Sequence, residues 1–340
     1  MSDPIQQPIQ APTPPPPPPP QPAAELPAPR PTRLRPFAIG LFVLGLILLV
    51  GEIVKLIPMG FGPPIALAVF GIALFGLSFI PLPVVPDTEP PLPPMQKIAG
   101  VFYEPTRVFR NLRVHPHWVA AYLVVVVLTV VYMVAFVQRL TPERIVNHRI
   151  EKIGEMGPPF APPPDRLEQM RSQQLDEAKS PVKRAGAAAT AFAAAFIFGA
   201  IVSALYLLGT LAFGGRINFW QALAVYFYAS LPVIVIQKVL SLVILYIKDP
   251  EDIHPILGAD NLVQDNLGIL FTPSVHPVLF VIASWIGILS FYGLWLKAKG
   301  LHNGGTRVSS SAGWGVAVTL WLLGLMLVTI VTALFPGFIG

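Results

Sequence analysis

Seven stretches of mostly apolar residues recur along the chain, separated by short polar or proline-rich segments. They cover residues 37–58, 63–82, 118–137, 187–213, 221–247, 277–296 and 314–335. A helix that spans a bilayer needs about 20 such residues. The second stretch is the weakest, because Pro63, Pro64 and Pro81 bound it, and it either spans or forms a re-entrant or half-buried hairpin with the first. The pattern predicts an all-α, polytopic transmembrane helix bundle of about seven spans.

Composition supports a membrane protein. The 340 residues are 54% hydrophobic and 12% charged, whereas soluble domains carry about 25% charged residues. The net charge of +5 is spread over loops beside apolar segments, which is typical of residues that set membrane orientation and contact anionic lipid. The sequence has no basic patch interleaved with aromatic residues that would indicate nucleic-acid binding. The absence of cysteine excludes disulfides, thiolate metal sites and thiol catalysis.

Residues 1–36 are rich in proline and include an unbroken run from Pro14 to Pro20. Such a composition cannot bury a core and favours an extended polyproline II spacer. We therefore expect this tail to be disordered and dispensable for insertion. A role as a ligand for a groove-bearing partner remains as the alternative.

The stretch Ile98 to Trp118 lies between the second and third apolar segments and has a helical period. Its apolar stripe consists of Ile98, Val101, Phe102, Pro105, Phe109 and Leu112. Basic residues fill most of the opposite face. This pattern predicts one amphipathic helix over residues 98–113, lying in the membrane interface, with a soluble basic helix as the alternative. The predicted lipid and headgroup contacts are Phe102, Arg107, Phe109, Arg110, Arg113 and Trp118.

Lysine and arginine in the short loops predict the orientation, because they accumulate on the cytoplasmic side. With the N-terminus inside, the inner segments hold Arg30, Arg33, Arg35, Lys97, Arg107, Arg110, Arg113, Arg216, Lys297, Lys299 and Arg307. The short outer segments hold only Lys55 and Lys248, and the loop after the fifth stretch is acidic. We therefore expect a multi-pass membrane protein with its N-terminus inside and its C-terminus outside.

The charge of residues 138–186 disagrees with this orientation, because the segment carries nine Lys and Arg residues and would lie outside. The same segment carries seven Asp and Glu residues and approaches the length at which the charge rule weakens. Its sequence predicts two short amphipathic helices, one over residues 141–156 and one from Asp165. They either cap the outer mouth of the bundle or, as their mixed charges favour, present a solvated face.

The fifth apolar stretch contains a polar group of three residues, Gln237, Lys238 and Ser241. Ionisable residues inside spans are functional candidates by default. Lys238 either neutralises an anionic substrate or headgroup inside the bundle or extends its amine toward the outer surface. Pro232, nearby in the same stretch, is expected to kink the helix.

Small residues dominate the fourth apolar stretch, where Gly199 and Ser203 form a small-xxx-small pair that permits close helix approach. We expect this helix to lie at the centre of the bundle. The histidines lack metal-ligand spacing, and neither a phosphate loop nor a nucleophile elbow is present. The sequence thus predicts no catalytic residue, no cofactor and no metal.

Three segments of the second half carry a resemblance to a known family. They are EPTRVFRNLRVHPHW before the third stretch, YFYASLP ending at Pro232, and FYGLWLKAKGL with Phe291, Trp295 and Gly300. In order and spacing they resemble the Yip (Ypt-interacting-protein) domain family of multi-pass membrane proteins. One departure is Leu289, where the family pattern would have an acidic residue.

The resemblance implies a five-span domain over residues 95–336, preceded by a two-span hairpin over 37–82 and the tail. Eukaryotic members are associated with vesicle trafficking and small-GTPase partners, whereas the bacterial branch, which this composition suggests, is functionally obscure. The favoured hypothesis is a non-enzymatic membrane-organising or adaptor protein that contacts the bilayer, its anionic lipids and protein partners on the cytoplasmic face, with a homo-oligomer left open. The alternative is a small-solute or lipid transporter using the kinked fifth span around Lys238.

Overall fold

The computed structural model describes residues 31–32, 34–83, 90–155 and 162–335. Over these ranges the chain forms thirteen α-helices, and its only β pairing is an isolated bridge between Asn266 and Gly287. The predicted all-α fold class is confirmed. The first 30 residues, where most of the predicted disordered tail falls, lie outside the described residues.

Two helices, α1 (Arg35–Ile53) and α2 (Gly62–Leu77), form an antiparallel hairpin. Pro63 and Pro64 occupy the first turn of α2, where a missing N–H costs nothing. The backbones touch at two glycines: a Cβ on Gly45 would lie 2.6 Å from the Ala68 nitrogen, and one on Gly71 would lie 2.6 Å from the Phe42 nitrogen. Glycine therefore permits this crossing, while α2, with 16 residues, is shorter than a full span.

The rest of the described residues form eleven further α-helices. They are α3 (Pro94–Tyr103), α4 (Pro105–Val114), α5 (Val119–Leu140), α6 (Pro142–Glu155), α7 (Pro164–Lys179), α8 (Pro181–Ala212), α9 (Phe219–Ile247), α10 (Leu257–Asp260), α11 (Pro277–Ser284), α12 (Ile288–Gly304) and α13 (Ser310–Leu334). Among the described residues, α1, α5, α8, α9 and α13 are long and apolar enough to cross a membrane. The two amphipathic helices predicted in residues 138–186 are confirmed as α6 and α7.

The first half of α9 lies at the centre of the bundle, in contact with α5, α8 and α12. The predicted close approach at Gly199 is confirmed, because a Cβ there would lie 2.7 Å from the Phe227 ring of α9. The expectation that α8 itself is central is wrong: Phe198, Ile201 and Leu208 of α8 are all more than half exposed. A small-residue stripe identifies one contact face and leaves the opposite face free for lipid.

The predicted span over residues 277–296 is not one helix. It is divided into α11 and α12 by Trp285, Ile286 and Gly287. The Leu267 amide donates to the Ile286 carbonyl at 3.0 Å, and the Asp265 carboxylate accepts from the Leu289 amide at 2.7 Å. The preceding loop thus forms hydrogen bonds with backbone groups that a continuous helix would pair within itself. Hydrophobic periodicity gives no information on such tertiary hydrogen bonds.

The two ends of the bundle differ in their surface. The arginine end consists of α4, the start of α9 and the turn between α12 and α13; the Thr306 amide donates there to the Arg216 carbonyl at 2.9 Å. The loop end consists of α6, α7 and residues 248–276, and Arg144 donates there to the carbonyls of Pro250, Glu251 and Ile253.

Several basic residues of the segment 138–186 are matched locally. The Lys179 amine lies 2.9 Å from the Glu143 carboxylate and the Lys152 amine 3.0 Å from the Glu155 carboxylate. Arg139 donates to the Lys248 carbonyl at 3.3 Å. Several of the basic residues that disagree with the predicted orientation therefore form ion pairs or hydrogen bonds within the loop end.

Candidate membrane-interface site

The segment predicted as one interfacial helix is two short helices in the structure. α3 ends at Tyr103 and α4 begins at Pro105, while Glu104 between them has φ −128° and ψ 52°. Pro105 has no N–H to continue the α3 ladder and disfavours the helical conformation at the residue before it. The same proline suits the first turn of a new helix. The apolar stripe is therefore interrupted at Glu104.

The apolar face of α4 packs against the bundle. Phe109 and Leu112 are fully buried, and a Cβ on Gly300 of α12 would lie 3.1 Å from the Phe109 ring. Trp118 is only 7% exposed, and its ring centroid lies 5.1 Å from that of Phe196. The structure thus places two of the six predicted lipid contacts, Phe109 and Trp118, in the core, because helical periodicity identifies an apolar face but not what covers it.

The polar face of α4 carries Arg107 and Arg110, which are both exposed. A guanidinium nitrogen of Arg107 lies 3.1 Å from the Glu104 carboxylate. Phe102, on α3, is 38% exposed. These three side chains are exposed and so accessible to a lipid headgroup. Their contact with lipid stays a prediction.

Arg110 lies between two surface clefts of about 420 Å³ each. The first is shared with Tyr103, Glu104, Arg107 and Trp295. The second brings Arg110 together with Arg113 and with Arg307 of the α12–α13 turn, and its described lining holds no carboxylate. We call these three residues the arginine trio.

The arginine trio has the chemistry of an anion site. In the described part of the chain, the Nε of Arg113 is buried with no hydrogen-bond partner. A guanidinium presents its N–H donors in a planar fork that matches phosphate and carboxylate oxygens. An anion entering this cleft would meet three such groups and no competing carboxylate among the described residues.

Backbone contacts hold the trio in place. The Gln221 side chain donates to the Arg113 carbonyl at 2.7 Å and accepts from the Asn218 amide at 2.8 Å, as part of the capping box that starts α9. The His302 ring bonds the Val308 carbonyl at 2.6 Å across the α12–α13 turn. Sequence reasoning assigned Arg307 to the inner side but missed its meeting with α4, since no local pattern links such distant segments.

Lys97 differs from its neighbours because it is buried. Its side chain is 1% exposed, and the amine donates to the His115 carbonyl at 3.3 Å. Removal from water disfavours the ammonium form and lowers the pKa of Lys97 to about 8. The sequence predicts Lys97 to be a charge at the inner surface, whereas the structure buries its side chain and bonds its amine to the residue that follows α4.

The predicted intramembrane group divides into two parts. Lys238 donates to the Asp260 carbonyl, and its amine lies 4.7 Å from the Tyr132 ring centroid. Ser241 is buried, and its hydroxyl accepts from the Leu262 amide at 3.0 Å. Both residues fasten the loop after α9 to the bundle, whereas Gln237 faces α12.

The three segments that carry the family resemblance meet in space. A Cβ on Gly300 of α12 would lie within 3.1 Å of the Phe109 ring of α4 and 2.7 Å from Val225 of α9, which directly precedes YFYASLP. A family model described as the Yip1 domain matches residues 99–331. The chain belongs to the Yip1 domain family.

This Yip1-domain chain matches no curated protein and no solved structure. The family match begins within α3 and ends within α13, so the α1–α2 hairpin precedes it. The arginine end, with α4 and the α12–α13 turn, lies within the matched residues. The chain is thus a multi-pass membrane protein of the Yip1 family whose basic surface is built from the family domain itself.

Proposed function

We propose that this Yip1-domain protein is a non-enzymatic membrane-organising or adaptor protein that holds anionic headgroups at its arginine end. We assign that end to the cytoplasmic face of a bacterial inner membrane. The observation that carries the proposal is the arginine trio, Arg110, Arg113 and Arg307, in a cleft whose described lining has no carboxylate.

The electrostatic gain supports this assignment. The cytoplasmic leaflet is anionic, and each basic residue close to such a surface contributes about 1 kcal/mol. Three arginines in one cleft therefore favour binding of a headgroup with a net negative charge over binding of a zwitterionic headgroup. Arg107 and Phe102 flank the site and extend the contact along α3 and α4.

A lipid titration tests the proposed function. The purified full-length protein in detergent is titrated with phosphatidylglycerol, and bound lipids are counted by native mass spectrometry at low and high salt. We expect Arg110→Gln with Arg307→Gln to remove the salt-sensitive part of the binding. Arg149→Gln with Arg166→Gln, a matched pair of exposed residues on α6 and α7, is the control. Equal lipid counts in both pairs would overturn the proposal.

The transporter alternative is supported by one specific observation. α9 is one continuous helix that contains Pro232, which leaves the Tyr228 carbonyl without its usual amide donor, and it packs against α12, which follows the break after α11. Discontinuous helices beside a binding site are typical of transporters. The chain has no native cysteine, so Gln237→Cys can be labelled from either side of sealed vesicles. Alternating access requires labelling from both sides, whereas the favoured function predicts access from one side at most.

A further inference from the structure

A third cleft, of about 280 Å³, lies between α9 and α12 and is bounded by Trp285 and Trp321. Among the described residues, it shares no lining residue with either cleft at the arginine end. We call it the α9–α12 cleft. It is separate from the surface on which the proposed function depends.

Four polar side chains point into the α9–α12 cleft from two helices. Ser230 and Gln237 are seven residues apart on α9, and Ser290 and Lys297 are seven apart on α12. Seven residues are about two helical turns, so each pair shares one face, and its members are separated by about 10 Å along the helix.

The two helices run antiparallel, which sets the level of each group. A Cβ on Gly293 would lie 3.3 Å from Val233, and one on Gly300 would lie 2.7 Å from Val225. Lys297 therefore lies at the level of Ser230, toward the arginine end, and Gln237 lies at the level of Ser290, toward the loop end. The cleft has a cationic end and an uncharged polar end.

Within the described part of the chain, none of these four side chains makes a hydrogen bond or an ion pair. The contrast with the next turns of α9 is direct, because Lys238 and Ser241 are both bonded to the loop after α9. All four side chains are partly exposed at this cleft, and a polar group or charge that the bilayer removes from water without giving it a partner is costly. The unpartnered set therefore indicates that something from outside the chain supplies the missing partners.

The walls of the cleft define the chemistry of that partner. The described lining contains no Asp or Glu, so Lys297 faces only neutral groups among these residues. Trp285 and Trp321, with ring centroids 5.9 Å apart, form an apolar wall together with Val233, Ile234 and Leu289. A cation beside an apolar wall, within a helix bundle that exposes apolar side chains on its outside, suits a ligand with an anionic group and a hydrocarbon part.

We propose that the α9–α12 cleft binds one anionic amphiphile, whose phosphate or carboxylate pairs with Lys297 and whose apolar part lies along Trp321 and Trp285. Ser230, at the level of Lys297, bonds the polar atoms next to the charge, and Ser290 and Gln237 bond polar atoms about two helical turns away. Water occupies about 30 Å³ per molecule, so 280 Å³ accommodates a headgroup and the first part of a chain. The remaining hydrocarbon extends into the surrounding bilayer.

Native mass spectrometry of the full-length protein in detergent tests this site. Arg110→Gln with Arg307→Gln serves as the background, so that the salt-sensitive binding at the arginine end is removed. Dioleoyl phosphatidylglycerol, dioleoyl phosphatidylcholine and oleate are titrated separately. We expect one bound phosphatidylglycerol or oleate per chain and weaker binding of phosphatidylcholine. Phosphatidylglycerol alone would identify a phospholipid headgroup as the source of the charge, and oleate alone a free fatty-acid carboxylate.

The variants assign the binding to the cleft. Lys297→Met should weaken the anionic adduct about tenfold, the usual cost of losing a charged hydrogen-bond partner. Lys297→Arg should retain it. The matched control is Lys299→Met, because the Lys299 amine lies over the Trp295 ring, 5.6 Å from its centroid, and outside the cleft. Ser230→Phe, which fills the cleft from α9, should abolish the adduct even if Lys297→Met does not fold.

Unchanged binding in Lys297→Met or in Ser230→Phe would overturn the proposal. Equal binding of phosphatidylcholine and phosphatidylglycerol would overturn it as well, because Lys297 would then not select for charge. The test is independent of the proposed function: the arginine end can fail to hold headgroups while the cleft still binds its amphiphile, and the reverse.

Discussion

At the scale of single residues, the buried Lys97 makes stability depend on pH. An unfolded lysine has a pKa near 10.4, whereas burial lowers the pKa of Lys97 to about 8. Between these values the unfolded state binds more protons than the folded state, so stability should rise as the pH increases from about 8 to about 10. Thermal unfolding of the purified protein across this range should show a gain of the order of 1–2 kcal/mol from Lys97.

Lys97→Met should remove this rise, because methionine has a similar length and carries no proton. Lys299→Met is the matched control for loss of a lysine, and it should preserve the rise because Lys97 is intact. If Lys97→Met leaves the pH profile unchanged, the buried amine does not have the lowered pKa that we assign to it.

Ser241 offers a second residue-scale prediction. Its hydroxyl accepts from the Leu262 amide at 3.0 Å and bonds the Asn261 side chain at 2.8 Å. Ser241→Ala leaves the Leu262 amide without a partner and removes one of the two bonds of the Asn261 side-chain oxygen, which should cost about 1–3 kcal/mol. Ser230→Ala, on the same helix but without such bonds, should cost much less. Thermal unfolding of the two variants compares them, and equal stabilities would show that Ser241 does not fasten the loop.

The residue scale also shows what a helical period can and cannot predict. The stripe through Phe102 and Phe109 correctly separates the apolar face from the arginine face. It gives no information on whether protein or lipid covers the apolar face, and Phe109 proves to be covered by Gly300. In the same way, the positions of Lys238 and Ser241 in an apolar stretch indicate a need for polar partners, but not that residues 260–262 supply them.

At the scale of elements, the α1–α2 hairpin depends on its glycines. A Cβ on Gly71 would lie 2.6 Å from the Phe42 backbone nitrogen, closer than real Cβ atoms come to backbone, whereas one on Gly76 would meet nothing within 4 Å. Gly71→Ala should therefore force α1 and α2 apart and destabilise the protein by about 1–3 kcal/mol. Gly76→Ala, on the same helix, should be neutral or slightly stabilising. Thermal unfolding distinguishes them, and equal stabilities would refute the tight crossing.

Length and hydropathy were enough to predict α5, α8, α9 and α13, because these helices cross the bundle without interruption. The division of α11 from α12 could not be predicted this way. Residues 277–296 are apolar throughout, and the break depends on bonds from Asp265 and Leu267 of the preceding loop. Those are tertiary contacts, and a local window of sequence does not contain them.

At the scale of the whole molecule, the structure adds a spatial basis to the charge pattern. Arg110, Arg113 and Arg307 share one cleft, and Arg216 is tied to the same α12–α13 turn through its carbonyl. The sequence assigned all four to one side from loop charge alone. It could not predict that α4 and the α12–α13 turn form a common site, because that depends on the packing of α4 against α12.

The orientation of the whole bundle is the last prediction. Because the chain contains no cysteine, single introduced cysteines report on one position each. Ser310→Cys lies at the arginine end and Gln264→Cys in the loop end, and both positions are exposed. With the arginine end cytoplasmic, a membrane-impermeant maleimide added to intact cells should label Gln264→Cys and should label Ser310→Cys only after permeabilisation. Gln173→Cys on α7 should behave like Gln264→Cys, because Lys152 of α6 and Lys179 of α7 are paired with carboxylates within the loop end. Labelling of Ser310→Cys in intact cells, with protection of the other two, would reverse the topology and remove the arginine trio from the anionic leaflet that the proposed function requires.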